Sequence, residues 1–207
     1  MRAILAASVA LALAGCAGAN RPIDTGSTAG SGVRIETTVA GGGGIGSGVY
    51  IGNGVIITNA HVVDGALTIK IKSDVGDVQD AEVLWVNAAY DIAAVRPDNP
   101  RRFAAARLSC REPAVDELIT ANGNPAGVEF ITMRGYVSGK VREMAPKWKA
   151  AFITDMTTIG GMSGGPVYAA DGDVIGITAG VMAYGGPSGG MGFAVPASAV
   201  CGLLGRA

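Results

Sequence analysis

Histidine is nearly missing from this sequence: His61 is the only one among 207 residues. Any chemistry that needs an imidazole must use it. One imidazole among scattered carboxylates also argues against a zinc site. A surplus of charge is missing too. Lys and Arg number 16, Asp and Glu 17, so the chain carries no nucleic-acid-binding signature. Aromatic residues make up only 5%, while 33 residues are glycine. A glycine-rich, β-branched chain with few aromatics suits a turn-dense all-β fold. The apolar run from Ala3 to Ala14 is too short to span a bilayer, and Asn20-Arg21 follow soon after it. The length fits one or two domains.

What the chain does have is Gly160-Gly161-Met162-Ser163-Gly164-Gly165-Pro166, one serine among four glycines. Glycine allows tight turns and close backbone approach. A nucleophilic serine needs both, because backbone N–H groups must converge where a carbonyl oxygen becomes negative. The plain alternative is a hairpin turn with a polar tip. A hydroxyl also needs a base, and His61 must supply it, at the end of the apolar run 54–60. Asp91, leading into Ile92-Ala93-Ala94-Val95, is the best carboxylate to orient that base. Asp64 is near in sequence but reads as part of the turn after His61; Asp74, Asp77 and Asp80 read as solvated loop.

The order His61, Asp91, Ser163 and the segments around them resemble the trypsin-like serine proteases, most closely the high-temperature-requirement (Deg) branch. The matching segments are Gly46-Ser47-Gly48-Val49, 57–63, 91–95, Gly123-Asn124-Pro125, 161–166, 174–177 and 192–196. The resemblance implies an all-β chymotrypsin-like fold of two six-stranded antiparallel barrels, about 33–96 and 114–196, with a short C-terminal helix. It implies a serine endopeptidase with His61, Asp91 and Ser163 as triad and the N–H groups of Gly161 and Ser163 as oxyanion hole. Polypeptides are then the substrates, in protein quality control of the cell envelope, and no metal or cofactor is needed. It also makes Thr157, Ala179 and Val181 the pocket walls. Thr157 stands where trypsin has an aspartate, so cleavage after small or aliphatic residues is expected. No sequence is left after residue 207 for the PDZ domain that many relatives carry.

Two positions depart from the family. Met162 replaces the residue usual before the serine, which keeps open a catalytically silent, peptide-binding alternative. Ala179 stands near where relatives have a hydroxyl that supports the triad carboxylate; Thr178 is a substitute if the register allows. An esterase on an α/β-hydrolase fold is excluded by order, because His61 comes first and not last.

Strands are expected at 33–39, 48–51, 55–58, 67–71, 81–86 and 92–95. A second set follows at 117–121, 128–134, 136–142, 152–156, 166–168, 174–182 and 192–195. The glycine run 41–44 is expected as a loop, 97–113 as the connection between barrels, and 197–204 as a helix. Residues 1–16 read as a signal peptide. Its end, Leu13-Ala14-Gly15-Cys16, resembles a bacterial lipobox, which implies a lipid on Cys16 and a membrane anchor; the alternative is an ordinary secretory signal. Ala17 in place of aspartate favours an outer membrane, where there is one. Residues 17–32 read as a flexible tether. Export would leave Cys110 and Cys201 in an oxidising compartment, either as a disulfide or as two buried thiols.

Overall fold

The computed structural model describes residues 30–183 and 190–206. The expected signal peptide, Cys16 and nearly all of the tether lie outside the described residues. Among the described residues, no helix is long and apolar enough to cross a membrane.

The first six strands are β1 (Gly32–Val39), β2 (Gly42–Tyr50), β3 (Ile56–Thr58), β4 (Thr68–Ser73), β5 (Val78–Asn87) and β6 (Ile92–Pro97). They close into a barrel in the order β1-β2-β3-β6-β5-β4. In β4, Ile69 and Ile71 face the core while Lys70 and Lys72 face out, as alternation at period two requires. The interior is filled by Val33, Ile35, Ile56, Ile71 and Val95, with Tyr50 packed on Phe103. The expected glycine loop is instead the start of β2. The chain turns at Ala40 and Gly41, and Val39 then pairs with Gly42, so the two-residue hairpin leaves the other glycines in the ladder.

The second set is β7 (Leu118–Gly123), β8 (Ile131–Met144), β9 (Trp148–Thr154), β10 (Pro166–Tyr168), β11 (Val174–Ala183) and β12 (Gly190–Pro196). Their order is β10-β11-β12-β9-β8-β7, and β10 also pairs with β7 through Val167–Ala121 and Tyr168–Thr120. This sheet has six strands, not the seven read from sequence, because 128–134 and 136–142 belong to one bulged strand. Gly135 suggested a break, but a Cβ there would sit 2.3 Å from Asp155 Oδ1 and 2.5 Å from Met156 Cγ. The glycine lets the exit of β9 cross close to β8.

A single apolar cluster runs between the sheets, joining Val49, Ile57 and Ile92 to Trp148, Ile177 and Phe193. Helix α2 (Ala197–Leu203) packs into it through Val200. The helix is also tied to the connection between the sheets by a Cys110–Cys201 disulfide, with Cα atoms 5.8 Å apart.

Candidate active site

Helix α1 (Ala60–Val63) is one turn long and follows β3 directly. It presents His61 at the seam between the sheets. Asp91 closes the turn before β6 with φ +54, a left-handed conformation that aspartate tolerates better than most residues. Asn59 Nδ2 donates to Asp91 O at 2.8 Å, which fixes that turn against α1. The Asp91 carboxylate then meets both the backbone and the ring of His61. His61 N–H donates to Oδ1 at 3.0 Å, and His61 Nδ1 lies 3.0 Å from Oδ1 and 2.8 Å from Oδ2. An ionised carboxylate only accepts, so Nδ1 carries the proton and Nε2 of the neutral ring keeps a free lone pair. The His61 side chain is 50% exposed and that of Asp91 only 12%. The imidazole is therefore reachable while the carboxylate that holds it is shielded.

Ser163 sits half-buried in a turn with two left-handed glycines, Gly161 (φ +99) and Gly164 (φ +85). A Cβ on Gly161 would lie 2.2 Å from Asn124 O, and one on Gly164 would lie 2.2 Å from Ser47 O. Only glycine fits either position. Gly160 O accepts from Ala126 N at 2.7 Å. In a trans peptide the N–H points opposite to the C=O, so Gly161 N–H is turned away from Ala126. Neither Gly161 N–H nor Ser163 N–H is engaged by another described residue. Two donors thus stand free on the serine turn, as an oxyanion site requires.

The supports of this turn come from both sheets. Ser47 N donates to Ser163 O (2.8 Å), and Ser47 Oγ donates to Gly161 O (2.7 Å). Asn124 donates to the same Ser47 Oγ through N and Nδ2. Farther out, Arg34 Nη1 donates to Gly127 O (2.9 Å), and Lys72 grips Glu129. The Lys72 ammonium, chiefly by this hydrogen bond, holds the Glu129 carboxyl below its ordinary range.

Two open cavities meet at the site. One, of about 510 Å³, includes Lys147, Trp148, Ala179 and Val181; the other, of about 330 Å³, includes Val39, Ile45 and Gly161. His61, Asp64 and Ser163 line both. A continuous cleft therefore passes over the serine and the imidazole, open enough for an extended chain. No hydrogen bond joins Ser163 Oγ to His61 among the described residues; such contacts often close only when substrate is bound.

Of the expected specificity residues, Ala179 and Val181 line the larger cavity. Thr157 is exposed and lines neither of these two cavities. Met162 is 1% exposed and packs inward with Ile119 and Val167. It anchors the turn from below and lines neither of the two cavities at the serine. Thr178 does not replace the absent hydroxyl: its Oγ1 is buried without a partner among the described residues. The additional donor to Asp91 is Trp148, whose indole Nε1–H reaches Oδ2 at 3.2 Å. Nothing in the sequence pointed to Trp148. Ser47 and Asn124 lay inside motifs that suggested kinship but gave them no role. Among the described residues, no cluster of His, Cys, Asp and Glu could hold a metal.

A profile of the trypsin-like peptidase domain matches residues 46–177. Periplasmic serine endoprotease DegP of Escherichia coli K12 is 33% identical over 161 residues, covering 75% of this chain and 34% of DegP. Magnetosome formation protease MamE of Magnetospirillum gryphiswaldense is 35% identical over 163 residues, covering 74% of this chain and 21% of MamE. The chain thus spans about a third or less of these curated relatives. Among solved structures, the HtrA-type protease AlgW with a tripeptide aligns at a TM-score of 0.80 and 25% identity. That alignment covers 87% of this chain and 61% of AlgW.

Proposed function

The chain belongs to the trypsin-like peptidase family, among proteases of the HtrA and Deg type, and on that premise we propose that it cleaves polypeptides through Ser163, His61 and Asp91. The observation that carries this reading is the His61–Asp91 pair (2.8 Å), set beside Ser163 on one cleft. Ser163 Oγ attacks the peptide carbonyl while His61 Nε2 takes its proton. The N–H groups of Gly161 and Ser163 bind the oxyanion. As the tetrahedral species collapses, the C–N bond breaks and His61 returns the proton to the leaving amine. Water, activated by the same imidazole, then releases the acyl group from Ser163. Asp91 holds the ring and stabilises the imidazolium without itself taking the proton. The second sheet, whose β10 returns to β7, serves as the second barrel of the pair.

Cleavage after small or aliphatic residues fits the apolar side of the cavity, walled by Ala179 and Val181. The names of the DegP relatives place those proteins in the periplasm. An envelope role in protein quality control, with Cys16 lipidated and anchoring the chain to an outer membrane, is our reading here. It rests on Leu13-Ala14-Gly15-Cys16; the several acyl chains of a mature lipoprotein hold firmly, where one holds only marginally. Mass spectrometry of the N-terminus tests it, and an unmodified start at another residue rules it out.

The function is tested with a fluorophosphonate probe and a casein assay. Wild-type protein should label and digest. Ser163→Ala should do neither, with a loss of ~10⁴–10⁶ in turnover and an unchanged circular dichroism spectrum. Digestion by Ser163→Ala at the wild-type rate would overturn the assignment.

A further inference from the structure

We propose that Trp148 is a positioning residue for the catalytic base, acting through Asp91; this rests on the triad assignment above. Among the described residues, the Asp91 carboxylate has three donors. They are His61 N, His61 Nδ1 and Trp148 Nε1. The first two belong to the group being oriented. Trp148 is thus the only outside donor, and it comes from the other sheet. Oδ2 is the oxygen 2.8 Å from Nδ1 and also the oxygen that Trp148 holds. The indole therefore limits rotation of the carboxylate about the axis that would carry Oδ2 away from the ring.

Trp148 is itself rigid. It is 5% exposed and stacks on Phe193 of β12 with ring centroids 5.3 Å apart. The next residue donates Lys149 N–H to Ala89 O at 2.8 Å, pinning the start of β9 to the turn that carries Asp91. The neighbouring wall of the cavity is Ala179 and Gly180, neither of which has a polar side chain. The competing account is that Asp91 only serves Trp148, since a buried indole N–H needs an acceptor. The two directions of dependence are separable by experiment, because support that acts through Asp91 vanishes when the carboxylate is gone.

The test compares Trp148→Phe in the wild-type chain and in Asp91→Asn, reading fluorophosphonate labelling rate and steady-state hydrolysis of labelled casein. A hydrogen bond to a charged group predicts a fall in labelling rate and kcat of about tenfold, with KM nearly unchanged. In Asp91→Asn, which alone should cost ~10⁴, adding Trp148→Phe should cost less than about twofold. No loss in the wild-type background, or an equal loss in both, overturns the proposal. If Asp91→Asn leaves the rate intact, the triad assignment fails and this inference with it. Should the phenylalanine variant fail to fold, benzothienylalanine at position 148 keeps the ring shape while replacing N–H by sulfur, and the same comparison applies.

Discussion

Ser47 Oγ donates to Gly161 O at 2.7 Å, bridging 114 residues of sequence from a strand of the first barrel to the serine turn. The same hydroxyl accepts from Asn124 N and Nδ2. Together with Ala126 N–H on Gly160 O, it fixes two successive peptide planes of that turn. The first of these planes carries the free Gly161 N–H, whose direction is thus set from the opposite edge of the peptide; the free Ser163 N–H shares its plane with Met162 O, which accepts from Gly165 N at 3.0 Å.

Ser47→Ala should therefore impair catalysis more than binding. Ser47 is 1% exposed, and its loss leaves a buried carbonyl and two donors with fewer partners, costing ~1–3 kcal/mol of stability. A looser oxyanion site should lower kcat by roughly 10–100-fold with KM little changed. Steady-state kinetics paired with a denaturant melt checks this. A stable variant with full kcat would mean the turn holds its shape unaided.

Adjacent glycines should respond in opposite ways. At Gly161 a Cβ would lie 2.2 Å from Asn124 O on a backbone with φ +99; at Gly160 it would meet nothing within 4 Å. Gly161→Ala should lose on the order of 10²-fold or more in turnover as the donor shifts. Gly160→Ala should stay within a few-fold of wild type, since it adds only an exposed methyl group. Equal activity in the two variants would contradict the geometry described for the turn.

The Cys110–Cys201 bridge closes a loop of 91 residues. In the chain-entropy model this contributes ~4–5 kcal/mol. Replacing both cysteines by serine should lower Tm by roughly 10–20 °C, while a chain melted without reductant should show neither thiol free. Two titratable thiols in denatured, unreduced protein would refute the bridge.

Alkaline pH should weaken the fold through Tyr168. Burial pushes its hydroxyl from 10.0 up to about 12, partly countered by a hydrogen bond with Ser31 Oγ. The folded state thus holds the proton more tightly than the unfolded one. The associated stability is complete below pH 10 and is lost as pH rises toward 12. Its size is on the order of 2 kcal/mol. Urea melts of wild type and Tyr168→Phe at pH 8 and near pH 11 should show the gap between them narrow or reverse at the higher pH. Parallel loss in both proteins would assign alkaline sensitivity to other groups.

Local pattern carried much of this molecule in plain sight. The alternation of Ile69 and Ile71 with lysines marked β4, and the apolar run after Asp91 singled it out as the partner of His61 across 30 residues. Other features depend on where distant segments land. Trp148 meets Asp91 only because β9 begins at residue 148, earlier than its apolar core suggested. Gly135 looked like a break because a glycine needed for close crossing is written the same way as one needed for a turn. Thr157 was placed by counting back from Ser163, and such counting does not say which side chains line the two cavities at the serine, where Thr157 does not appear. The inward fate of Met162 was equally unreadable, since its neighbours Ile119 and Val167 come from other strands.

The cleft draws His61 and Asp91 from the barrel made first and Ser163 from the sheet made last, and the apolar seam between them includes Trp148 and Phe193. A chain that emerges from its N-terminus can fold the first barrel before the segment carrying the serine arrives. A chain stalled or truncated before residue 163 would hold a base with nothing to activate. On the proposed triad, cleavage begins only once both halves have docked. Docking along the seam is, on that reading, the step that switches the protein on.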